Sequence, residues 1–83
     1  MRKIMKRKLS RKYTFPVVIE KDADGYFAFC PSLQGCHTQG ETYEEALKNI
    51  EEAVQLHVEA RLARRERIPA SEQISLTTLE VEV

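Results

Sequence analysis

A single run of helical periodicity governs what this chain can become. Thr42-Tyr43-Glu44-Glu45 is a capping box: the Thr42 hydroxyl caps the helix start while Glu45 reaches back to the Thr42 amide. From there Tyr43, Ala46, Leu47, Ile50, Val54, Val58 and Leu62 recur at three- and four-residue spacing. They mark one apolar stripe on a helix that continues to about Arg65, and Pro69 ends any continuation. Glu44, Glu45, Glu51 and Glu52 lie in its first half, and Arg61, Arg64, Arg65 and Arg67 crowd its end. That distribution complements the helix dipole, which outranks phosphate binding as a reason for the arginines, and Glu44 can pair with Lys48 one turn on. A helix with a single stripe covers one face of whatever it packs on. Its partner is therefore one sheet with the other face left open.

The rest of the chain supplies that sheet. Tyr13 to Glu20 reads YTFPVVIE, an aromatic and β-branched strand in which Pro16 implies an edge, a bulge or an unpaired side. Asp22-Ala23-Asp24-Gly25 is a turn, and Tyr26 to Cys30 returns as the second strand. Closing the hairpin with a three-residue loop, with Gly25 left-handed, sets Asp22 opposite Tyr26 and Ile19 opposite Phe29. Phe15, Val17, Ile19, Phe27 and Phe29 then share the face under the helix. Thr14, Pro16, Val18, Glu20, Ala28 and Cys30 share the other. A four-residue loop would scatter the phenylalanines, so the three-residue loop is preferred. Pro31 to Gly35 forms a loop, Cys36 to Gln39 a short third strand ended by Gly40, and Leu76 to Val83 alternates as a last, half-buried strand. The expected fold is α+β: a three-stranded antiparallel meander, one long helix on one face, then a final strand. Thr14, Pro16, Val18, Ala28 and Cys30 are left as a face for a partner or a second copy.

Eighty-three residues make one domain with a modest core that association would help. Thirteen basic and thirteen acidic residues cancel. They are unevenly spread, with seven bases and no acid in residues 1–12, a basic tail ahead of a domain spanning 13–83. The tail reads as a solvated segment; a weak phosphate-touching arm is the sharper alternative. No apolar run is long enough to span a membrane, and no export signal follows the basic start. Cys30 and Cys36 are too few for a disulfide framework and are expected as reduced thiols in the cytoplasm. Their spacing to His37 and His57 matches no zinc pattern, so no metal or other cofactor is expected.

Gly25-Tyr26, followed by Pro31-Ser32-Leu33-Gln34-Gly35-Cys36 and by Gly40-Glu41-Thr42-Tyr43-Glu44-Glu45-Ala46, resembles the HicB antitoxin family. The family pattern is an acidic turn with glycine, an aromatic strand, a P-(D/S)-L-x-G-C loop and then G-(D/E)-T-x-x-E-A. The resemblance runs from about Tyr13 to Pro69 and into the final strand. Within it Asp24, Gly25, Pro31, Gly35, Cys36, Gly40, Thr42 and Glu45 are structural turn, loop and cap positions. The resemblance implies a degenerate ribonuclease-H-like sheet whose fourth strand returns beside the first. It also implies a partner, a HicA-like toxin ribonuclease whose catalytic histidine the antitoxin blocks. Many members carry a further DNA-binding segment. With none after Val83, no dedicated DNA-binding domain is expected.

Three functions therefore compete. An antitoxin that binds and inhibits an mRNA-cleaving ribonuclease follows from the resemblance. A structural homo-oligomeric domain, dimer or tetramer, follows from an uncovered face and an available edge. A metal-dependent ribonuclease would need converging carboxylates. Its candidates, Glu20, Asp22 and Asp24, sit at one hairpin where the aspartates already have a turn-forming role. His37 is the one acid–base candidate, and an ordinary strand histidine is the simpler reading. The chain is read as a binding module, not an enzyme.

Overall fold

The computed structural model describes residues 11–69 and 73–83. Most of the basic tail lies outside the described residues; Arg11 and Lys12 are exposed. Three strands and a helix follow in order: β1 (Val18–Asp22), β2 (Gly25–Phe29), β3 (His37–Gly40) and α1 (Tyr43–Ala63). The strands form one antiparallel sheet in the order β1-β2-β3.

β1 begins five residues later than the aromatic pattern suggests. In the hairpin Val18 pairs with Phe29, the last residue of β2, so residues 13–17 have no strand opposite them. Pro16 among them also has no amide to donate. The hairpin is tighter than expected as well. Asp22 pairs directly with Gly25, leaving Ala23 and Asp24 as a two-residue loop. Asp22 Oδ1 accepts from the Asp24 amide at 2.8 Å and stiffens the turn. Gly25, at φ 138°, belongs to the strand because its backbone passes against the Gly40 carbonyl, where a Cβ would lie 2.8 Å from the oxygen.

That one-residue difference reverses the sheet. Ile19 pairs with Ala28 and Ala28 with Thr38, and this row faces the helix. Val18 pairs with Phe29 and Glu20 with Phe27, and this row faces away. Ala28 and Cys30, expected on the partner face, are buried in the core, while Phe27 and Phe29, expected under the helix, lie on the open side. Close approach is the physical reason. A Cβ on Gly40 would lie 2.6 Å from the Ala46 amide nitrogen, so the helix start rests almost on the sheet backbone. Only small side chains such as Ala28 fit beneath it.

Thr42 caps α1, accepting from the Glu45 amide at 3.0 Å. Glu45 closes the box on the Glu41 amide, one residue before the position expected from the motif. The helix stops at Ala63. Arg65 turns left-handed at φ 61°, its amide donating to the Leu62 carbonyl at 3.0 Å and the Glu66 amide to the Arg61 carbonyl at 2.8 Å. This is a Schellman ending with arginine in the position glycine usually takes. The buried stripe is also rotated from the expected one. Ala46, Ile50 and Val58 are buried, Ala53 and Val54 pack beside them, and Tyr43, Leu47 and Leu62 are half-exposed.

The Pro31–Gly35 loop is part of the core. Leu33 is 1% exposed, and the loop is closed by Cys30 N–H to Cys36 O at 3.0 Å and Cys36 N–H to Leu33 O at 3.0 Å. Gly35 turns it at φ 80°. The expected final strand is not formed. Residues 73–83 carry no regular structure and are exposed along their length, and among the described residues no other backbone pairs with them.

Candidate functional site

Two adjoining surfaces carry the exposed chemistry of the described residues. The first is the face of the sheet that the helix leaves open. Alternation along β2 puts Phe27 and Phe29 on it, and pairing brings Val18 and Glu20 from β1 and His37 and Gln39 from β3 alongside. The rings of Phe27 and Phe29 lie 5.8 Å apart, and Phe27 and His37 5.7 Å apart, in tilted contacts. Past Phe29 the apolar surface runs into the loop, where Phe29, Pro31, Gln34, Gly35 and His37 border a shallow hollow.

The second surface is a cleft of about 540 Å³ at the hairpin end of the sheet. Asp22 and Asp24 from the turn, and Glu41 and Glu45 from the helix start, supply four carboxylates around it. Gln39 and Asn49 complete its wall, with Asn49 Nδ2 donating to the Gln39 carbonyl at 2.9 Å. Phe27 borders both surfaces, so the acidic cleft and the aromatic face form one continuous strip.

Two of the four carboxylates have structural engagements. Asp22 accepts from the Asp24 amide and Glu45 from the Glu41 amide. Among the described residues no three of His, Cys, Asp and Glu converge as a metal site would need. His57 lies away from the strip, its Nε2 accepting from Arg61 Nε at 3.1 Å. Arg61 also donates from a terminal guanidinium nitrogen to the Arg67 carbonyl at 3.0 Å, so it is held at the helix end. Arg64 and Glu66 pair at 2.7 Å on the surface, which raises the arginine pKa and lowers the glutamate's through their shared hydrogen bond. The arginine cluster thus finishes a helix.

Both cysteines are buried as free thiols, and burial, followed by the nearby Cys30, pushes the Cys36 pKa above its ordinary value. The Cys36 thiol packs in the core as a small apolar side chain. Of the other expected positions, Thr14 is exposed and Pro16 and Val18 are half-buried. Of the residues expected on that face, Val18 and Glu20 lie on the aromatic side of the sheet, and Ala28 and Cys30 lie in the core. Sequence reasoning missed Phe27, Phe29 and His37 as a surface because it took the hairpin loop one residue too long. Gly25 and Gly40 carried the available signal: Gly25 passes against the Gly40 carbonyl and Gly40 against the helix start, and a strand glycine marks where a backbone comes close.

Among the described residues no helix is long and apolar enough to cross a membrane.

The family model described as a HicB-like antitoxin of bacterial toxin–antitoxin systems matches residues 15–82. UPF0150 protein ssr1765 of Synechocystis is 48% identical over 63 residues, which is 75% of this chain and 80% of that protein. UPF0150 protein Ta0767 of Thermoplasma acidophilum is 45% identical over 67 residues, covering 80% and 94%. Among solved structures, a chain of a HicA3 and HicB3 toxin–antitoxin complex superposes with a TM-score of 0.60 at 30% identity. That match covers 72% of this chain and 70% of the other.

Proposed function

The chain belongs to the HicB-like antitoxin family of bacterial toxin–antitoxin systems, and from that premise we propose that it binds and silences a HicA-like ribonuclease through the open face of its sheet. The observation that carries this reading is the continuous strip in which Phe27 joins the aromatic face to the four carboxylates of the adjoining cleft. A ribonuclease must present a surface that accepts phosphates and bases, so that surface is basic and offers stacking contacts. Carboxylates beside exposed rings complement both properties. The acids would steer and orient the encounter, and the rings would supply the buried centre of the interface.

Inhibition in this reading works by occupancy. The strip covers the surface that the RNA would use and with it the toxin's catalytic residue, and the chain itself performs no chemistry. The acids of the hairpin support that view, because Asp22 is already engaged with the Asp24 amide.

The test is co-expression with a HicA-like toxin encoded beside this gene. The intact chain is expected to relieve growth arrest and to co-elute with the toxin. Phe27→Ala, which removes a ring from the open face without touching the core, is expected to weaken the complex at least tenfold, about 1.4 kcal/mol or more. An intact complex with Phe27→Ala would move the interface elsewhere, and failure of the intact chain to rescue or bind would remove the toxin reading.

A further inference from the structure

Two cysteines face each other where the sheet gives way to the Pro31–Gly35 loop. The antiparallel register of β2 and β3 pairs Phe29 with His37, and one step further along the same ladder sets Cys30 opposite Cys36. A backbone bond marks that step, the Cys30 amide donating to the Cys36 carbonyl at 3.0 Å. Directly opposed residues of an antiparallel pair project to the same face of the sheet. Both cysteines accordingly lie as free thiols in one buried cluster with Ala28 and Leu33. Cys30 is the second cause, after burial, of the raised Cys36 pKa, so the two thiols are near enough to sense each other's charge.

Backbones joined in this way hold their Cα atoms about 5.5 Å apart, inside the window of roughly 4.4–6.8 Å that a disulfide spans. Their Cβ atoms start about 5 Å apart, whereas a relaxed disulfide holds them at roughly 3.8 Å. Closing the bond therefore needs an approach of about 1 Å, and this end of the ladder can supply it. β2 ends at Phe29 and β3 begins at His37, so the pair lies just beyond both strands. The Cys36 amide donates to Leu33 inside the loop and not across to Cys30, which leaves the pair held by one bond instead of two. On the open side a hollow of about 470 Å³ is lined by Cys30 and Cys36 together with Phe29 and His37, which brings a small reagent up to the pair.

We propose that Cys30 and Cys36 form a reversible intrachain disulfide by exchange with a small-molecule disulfide such as oxidised glutathione. One protein thiolate attacks a sulfur of the oxidant, whose S–S bond breaks as one small thiolate departs with the electron pair. The second protein thiolate then attacks the protein sulfur of that mixed disulfide and expels the other small thiolate. The two protons lost by the cysteines are taken up by the two departing thiolates. The protein is oxidised by two electrons, and the small disulfide is reduced to two thiols. Both steps need the loop to lift, a local opening that leaves the helix in place. A bond closed against the spacing of a hydrogen-bonded pair is strained, and a strained disulfide is the readily reduced kind. The pair is therefore a redox-responsive site and not a permanent staple. Phe29 and His37 are the next residues on the same two backbones, so the site adjoins the open face.

The experiment uses the full folded chain without any toxin, so its outcome is independent of the antitoxin reading. The reduced protein is incubated with excess oxidised glutathione in native buffer, then unfolded, treated with an alkylating agent and weighed by mass spectrometry. The expected product is a single chain lighter by two hydrogens, with neither cysteine alkylated. Before unfolding, it keeps the helical circular dichroism of the reduced protein, and dithiothreitol restores both thiols. Four results overturn the proposal: two cysteines still alkylated after the incubation, oxidation that takes place only in denaturant, a glutathione adduct or linked chains as the end product, or an oxidised chain that has lost its helix. The second of these would mean that the fold keeps the two thiols apart.

Discussion

The two faces of one three-stranded sheet are built on opposite rules. Toward the helix, Ala28, Thr38 and Gly40 keep the surface low, and the helix start comes so near that a Cβ on Gly40 would lie 2.6 Å from the Ala46 amide nitrogen. Away from it, the row of Phe27, Phe29 and His37 raises a ridge of rings that nothing among the described residues covers. The usual expectation, large residues in and small residues out, fails here because the core is thin. A domain this small gains more from bringing a helix close, with Leu33 and Ile50 as its fully buried plugs, than from stacking phenylalanines beneath it. The rings are then free for a partner, which is where aromatic side chains contribute most per residue.

The largest test of this contrast is Gly40→Val. Its side chain would press on the backbone of Glu45 and Ala46, which cannot yield without lifting the helix. We expect a loss of roughly 3 kcal/mol or more, read as a collapse of the cooperative thermal transition. The next compares one large residue from each side. Leu33→Ala, in the buried loop, is expected to cost about 2–4 kcal/mol, and Phe27→Ala, on the open face, less than about 1.5 kcal/mol. Equal losses in denaturant titrations would erase the distinction between the faces.

The smallest effect separates them by pH. Cys36 is buried on the covered side, and its pKa is raised from 9.0 by that burial and then by Cys30. The folded state therefore resists ionisation that the unfolded chain undergoes freely. Stability from this thiol is complete below pH 9 and declines as the pH rises through that value toward the folded pKa. Melting temperatures between pH 7 and pH 10.5 should fall more steeply for the intact protein than for Cys36→Ala. Parallel curves would mean that the thiol is reached by solvent in the folded state.

Much of the architecture was legible in the residues. The capping box located the helix start to the residue, because a cap is a local hydrogen-bonding device between Thr42 and Glu45. The aspartate–glycine turn and the alternation of β2 placed the hairpin, and the motif from Gly25 to Ala46 identified the family that the comparisons then matched over residues 15–82. The candidate surface was legible only in part. Val18 was named on the partner side and lies there, but Ala28 and Cys30 lie beneath the helix.

What the sequence alone determined is whatever depends on neighbours a few residues apart: the caps, the turn, the strand and helix periods, and the segregation of charge along α1. What only the tertiary structure decided is which face of the sheet the helix takes. That choice hangs on a one-residue difference in hairpin register, and two-residue periodicity reads equally well in either register. Contact between Gly40 and Ala46 resolves it, a long-range approach of two backbones that no local pattern encodes. The same reason explains residues 76–83. Their alternation announces a strand, but a strand exists only beside another, and among the described residues none pairs with them.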